Sequence, residues 1–186
     1  SWQMRLFKRD TPETTQQDST DASPQGGTLP SAALADIPKD QRGGPYEELE
    51  DGRFIVVGRN IIMVTDATHL VDSGLWHEVQ YASWDARTRQ FRLVWSQPDR
   101  PALVGKTISD NPKSLMEKIT HRVDDTIVAT RRFATSTGVS VAATVRRRVD
   151  GELFSAVVAS GPISDADQEK AYELETKLRE ELGMDS

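Results

Sequence analysis

Apolar and polar residues alternate most cleanly between Trp76 and Trp95. Across Gln90 to Ser96, Phe91, Leu93 and Trp95 fall on one face, and Gln90, Arg92, Val94 and Ser96 on the other. That period of two marks a strand. The run from Trp76 to Trp84 precedes it, and the polar stretch Asp85 to Arg89 between them suits a short hairpin loop. Three of the four tryptophans, Trp76, Trp84 and Trp95, lie here. The hairpin is therefore predicted to seed the core, with Trp84 and Trp95 buried.

The same pattern extends in both directions. Arg53 to Gly58 and Ile61 to Thr65 read as short strands, with a tight turn at Arg59 and Asn60. Thr68 to Val71 reads as a third strand, ended by a turn over Asp72 to Gly74. Ala102 to Ile108 follows the hairpin, set off by Pro98 and Pro101. Connections this short make an antiparallel meander. Asn111 and Pro112 then open a helix, with Leu115, Ile119 and Val123 on one stripe, predicted to end near Asp124 and Asp125. Thr126 to Thr135 and Val139 to Arg146 form strands. Asp150 and Gly151 turn the chain into a returning strand over Glu152 to Ala159. Ser164 caps a last helix lined by Ala171, Leu174, Leu178 and Leu182 and stopped by Gly183. The expected fold class is α+β: an antiparallel meander with two helices in one domain over 46–186.

Ahead of residue 46 the pattern disappears. Asp10 to Gly44 is rich in Thr, Ser, Gln, Pro, Gly and Asp and holds no aromatic residue. It buries too little to offset the entropy of ordering it, which predicts a long disordered N-terminal arm over 1–45. Leu29 to Ile37 stands out within it as a stretch that could dock on something. The tip differs from the rest. Trp2, Met4, Leu6 and Phe7 are apolar, and Arg5, Lys8 and Arg9 are basic. Aromatics beside cations suit an interface with anionic lipid or an acidic protein surface. Trp2, Arg5, Leu6, Phe7, Lys8 and Arg9 are the candidate partner-binding residues, and their removal is expected to leave the domain's stability almost unchanged.

Composition narrows the chemistry. The 186 residues carry a net charge of −6, against generic nucleic-acid binding, and no cysteine, which excludes disulfides, thiol nucleophiles and cysteine-held metals. No apolar run approaches the roughly 18 residues that span a bilayer, and the order of a signal peptide is missing, since Leu6 and Phe7 lead straight into polar sequence. His69, His77 and His121 form no metal-ligand spacing; His77 and Glu78 are neighbours expected on opposite faces of a strand. Val104 to Thr107 has the tail of a phosphate loop without its leading glycine. No catalytic residue, metal site or cofactor is assigned. Arg131 and Arg132, with Arg146 and Arg148, lie on strands expected to pair and could form an anion patch. The competing reading is that the last helix, with eight acids against three bases from Asp165 onward, quenches them.

The blocks Trp76 to Asp85, Ile119 to Val128, Val139 to Arg148 and Leu178 to Gly183 resemble an uncharacterised actinobacterial family of small cytoplasmic proteins. Its pattern is a W-x-x-I/V-x-x-A-x-W-D strand, an E/H-R-V segment before a strand, and a final helix ending in R-x-E-L-G. The resemblance covers roughly residues 53–183 and carries no enzymatic activity. The chain is also similar to the peripheral factors associated with the respiratory supercomplex. Those are accessory subunits on the cytoplasmic side of the cytochrome bcc–aa3 oxidase assembly. That similarity implies a non-catalytic interaction subunit, cytoplasmic and peripheral to the inner face of the plasma membrane, docked through its arm on supercomplex subunits and reaching the membrane surface. The alternative is a pleckstrin-homology-like module that binds an anionic ligand or lipid through the arginine strands.

Overall fold

The computed structural model of the chain describes residues 4–6, in backbone only, and 25–185. Composition and length suggest one body over 46–186; the chain clusters as two compact units. One runs up to Val123. The other joins strand β1 (Met4–Leu6) to everything from Asp124 onward.

The first unit is a double meander. Strands β2 (Tyr46–Glu48), β3 (Phe54–Val57), β4 (Ile61–Thr65) and β5 (Leu70–Leu75) form one antiparallel sheet in chain order. Strands β6 (Val79–Asp85), β7 (Gln90–Trp95) and β8 (Leu103–Lys106) form the other, and an isolated bridge joins Leu49 to Thr107. Their inner faces share one cluster: Ile55, Val57, Ile62 and Val64 meet Trp84, Phe91, Leu93 and Trp95. Helix α2 (Lys113–Asp124) adds Leu115, Ile119 and Val123 to it, the predicted stripe. Trp84 and Trp95 are buried as expected, and the Trp84 indole N–H donates to Thr107 Oγ1 at 3.0 Å.

Two local readings change. Trp76–Glu78 is a 3-10 turn rather than the start of a strand. Asp72 to Gly74 is not a turn, because β5 runs straight through it. The glycine is there for packing: a Cβ on Gly74 would stand 2.3 Å from Trp95 Cζ3.

The larger change lies in residues 25–45, which are ordered. Phe54, Val56 and Met63 point to the other face of the first sheet and are buried there with Ile37, against partly buried Leu29. Helix α1 (Ser31–Asp36) sits between Pro30 and Pro38 and buries Ala33 completely. Polar side chains fasten this strap. Arg42 donates to the carbonyls of Ile37 (2.9 Å) and Ala35 (3.2 Å), taking up helix-end acceptors. Asp36 accepts from the Leu70 N–H. Gln41 is buried; it donates to Asn60 Oδ1 at 2.8 Å and accepts from the Asn60 N–H at 2.7 Å, tying down the β3–β4 turn. Leu29 to Ile37 does dock, and it docks on its own sheet.

The second unit is a four-stranded sheet under one helix. Strands β9 (Ile127–Ala134), β10 (Ser140–Arg147) and β11 (Leu153–Ala159) are antiparallel, and β1 pairs in parallel with β11, so the order is β1-β11-β10-β9. Helix α3 (Asp165–Glu181) is capped by Ser164, whose hydroxyl accepts from the Asp167 N–H. Its Ala171 and Leu178 bury against Val141, Ala143, Val145, Val157 and Ala159. Gly183 ends it at φ +69°, a left-handed conformation that suits glycine. The α+β class holds, with three α-helices among the described residues rather than two.

Candidate functional site

The four candidate arginines do not form one patch. Arg131 and Arg132 are neighbours on β9 and face opposite sides of the sheet. Arg131 is in register with Ala143, on the α3 side, and pairs with Glu181 at 3.2 Å. At that residue the acidic helix does quench the charge. Arg132 stands opposite Ala142, exposed on the far side.

Arg146 shares the Arg132 side but is only 2% exposed, too little to offer a ligand a surface. Its Nε donates to Thr126 Oγ1 at 2.8 Å. Burial pulls its pKa down to about 10, opposed by the charge of Asp124. Arg146 and Arg148 both lie over the Phe154 ring, at 5.6 and 4.7 Å from its centroid. Such cation–π contacts hold the β10–β11 hairpin together. All four arginines belong to the second unit.

Three arginines of the first unit are also engaged internally. Arg53 pairs with Asp51 at 2.7 Å and donates to the Val104 carbonyl. Arg89 donates to the carbonyls of Thr107 and Ile108 and pairs with Glu50. Arg100 stacks 3.5 Å from the Trp95 ring centroid and pairs with Asp72.

The candidate arm residues divide. Arg5 and Leu6 lie in β1, in register with Val158 and Ala159. Trp2, Phe7, Lys8 and Arg9 lie outside the described residues. Residues 4–6 are thus a strand of the sheet rather than a free tip.

The chemistry-bearing side chains are scattered. His69 is exposed, its Nδ1 2.6 Å from Thr68 Oγ1, and His121 is exposed on α2. Among the described residues no group of three His, Asp or Glu side chains is arranged to hold a metal ion. A depression of about 430 Å³ is lined by Tyr172, Glu173, Thr176, Lys177 and Glu180, all on α3, and one helix alone cannot enclose a substrate. No helix among the described residues is long and apolar enough to cross a membrane.

Two carboxylates escaped the pattern reading. Glu47 is in register with the fully buried Ile55, and burial raises its pKa to about 7. Glu175 is 7% exposed; burial raises its pKa, opposed by a hydrogen bond from Ser155 and the charge of Arg179. The signal for both was periodicity. Glu47 precedes Leu49 by two, and Glu175 sits at helical spacing between Ala171 and Leu178. No protein-family model, curated protein or solved structure matches this chain.

Proposed function

We propose that this chain is a non-catalytic accessory subunit that docks through residues 1–9 on the cytoplasmic side of a membrane-bound respiratory assembly of the cytochrome bcc–aa3 type. The observation that carries the reading is the composition of that segment. The aromatics Trp2 and Phe7, with Leu6 and the cations Arg5, Lys8 and Arg9, stand ahead of a tract with no aromatic at all. Burying two aromatics at ~25 cal/mol per Å² is worth a few kcal/mol, and the cations add an attraction that salt weakens.

The test uses the full chain with Trp2→Ala and Phe7→Ala, incubated with the detergent-solubilised assembly. Co-purification should fall sharply in the double variant and weaken with salt in the wild type. Full stoichiometry in the double variant would move the anchor to the folded units. A second reading is a pleckstrin-homology-like module that binds an anionic ligand through the arginine strands, where Arg132 and Arg148 are exposed. It predicts binding to protein-free anionic vesicles by residues 25–186, where the accessory-subunit reading predicts none.

A further inference from the structure

The two edges of the β9–β11 sheet are defended differently. Along β9, Arg131 and Arg132 stand exposed in mid-strand, and a bulge interrupts the pairing at Val145/Arg146. Charges and bulges are how open edges resist pairing with other chains. The opposite edge has neither. Ala156, Val157, Val158 and Ala159 carry no charge, and Val157 and Ala159 are fully buried in the cluster under α3. An apolar edge of this kind needs a cover, and its cover is β1. That strand meets three of the seven residues of β11, in parallel, the less stable of the two pairing modes.

We propose that β1 is a releasable latch, so that closing the β11 edge and anchoring the chain compete for the same residues. This rests on the docking role assigned above to residues 1–9. Leu6 stands in register with buried Ala159. An anchor that uses Leu6 must first draw it out of that register, so the latched protein holds its anchor back. Opening a three-residue edge strand is a local event that needs no unfolding of either core. The apparent affinity for the partner is then the intrinsic affinity scaled by the unlatched fraction.

A disulfide tests this directly, because the chain has no cysteine of its own. Met4 and Val157 are register partners, and Met4 is not among the anchor residues. The full chain carrying Met4→Cys and Val157→Cys is oxidised, then presented to the detergent-solubilised cytochrome bcc–aa3 assembly with and without dithiothreitol. Formation of the disulfide in the isolated protein is the first readout, and failure to form it would overturn the latched state. Capture should be lower by at least about tenfold in the oxidised form and return on reduction, with wild-type capture indifferent to the reductant. Equal capture of oxidised and reduced protein would overturn the latch and leave the docking role standing. No capture of either the wild type or the reduced variant would remove the docking role, and the latch with it.

Discussion

The first unit buries three tryptophans and covers both faces of one sheet, whereas the second packs one helix on Val and Ala and completes its sheet with a strand from the start of the chain. The difference is one of where closure comes from. Large buried side chains close the first unit, helped by the adjacent strap over 25–45. The second depends on backbone pairing by β1, whose last residue is Leu6, well over a hundred positions before Asp124. In both cases a segment that composition assigns to an arm serves as cover for a sheet.

Truncating Trp95 should break the first unit's side of this comparison most severely. It is 2% exposed, it fills the space left by Gly74, and Arg100 stacks on it. Trp95→Ala should cost ~3–5 kcal/mol in chemical denaturation. An unchanged midpoint would show that the hairpin is not the core.

Next in size is the strap. Ile37 is 1% exposed and belongs to the cluster with Phe54, Val56 and Met63. Ile37→Ala should cost ~2–5 kcal/mol. A true linker residue would change stability by no more than ~0.5 kcal/mol, so the same denaturation curve separates strap from linker. Smaller still is the Arg131–Glu181 pair, about half exposed on both sides. Arg131→Ala should fall within ~0–1 kcal/mol, and a larger loss would mean that the pair organises α3 on the sheet.

Glu47 gives the subtlest effect, visible only as a pH dependence. Its carboxyl is raised by burial from 4.5 to about 7. Below the lower value it is protonated in folded and unfolded chains alike and costs nothing. As pH rises through the interval the unfolded chain releases its proton first, so the folded state loses stability until pH passes about 7, where the penalty becomes constant. Glu47→Gln should therefore match the wild type at pH 4 and exceed it at pH 8 in urea midpoints. A difference of the same size at both values would point to packing rather than titration.

How much of this was legible beforehand follows from the kind of interaction involved. The hairpin, α2, the β10–β11 turn and α3 are legible from period and caps, because local sequence sets them. The full length of β5 is not, because Gly74 looks like a turn residue until Trp95 is placed over it. The strap is not legible because its fixings are polar: Arg42, Asp36 and Gln41 look like solvated linker side chains until their distant acceptors and donors are known. A cue was present. Phe54 to Val57 and Ile61 to Val64 are unbroken apolar runs rather than alternating ones, the mark of a sheet covered on both faces. The arginine patch failed for a related reason, since adjacent residues on β9 cannot share a face. The pairing of β1 with β11 left no local trace at all, being set by register between the two ends of the chain.

The central claim is that residues 4–6 complete the second unit's sheet. Amide hydrogen exchange of the chain lacking residues 1–9, compared with the full chain, tests it most directly. The account predicts faster exchange at Val157 to Ala159, with the Phe91 to Leu93 amides of β7 still protected. Unchanged protection at Val157 to Ala159 would contradict it and leave the β11 edge without need of a cover.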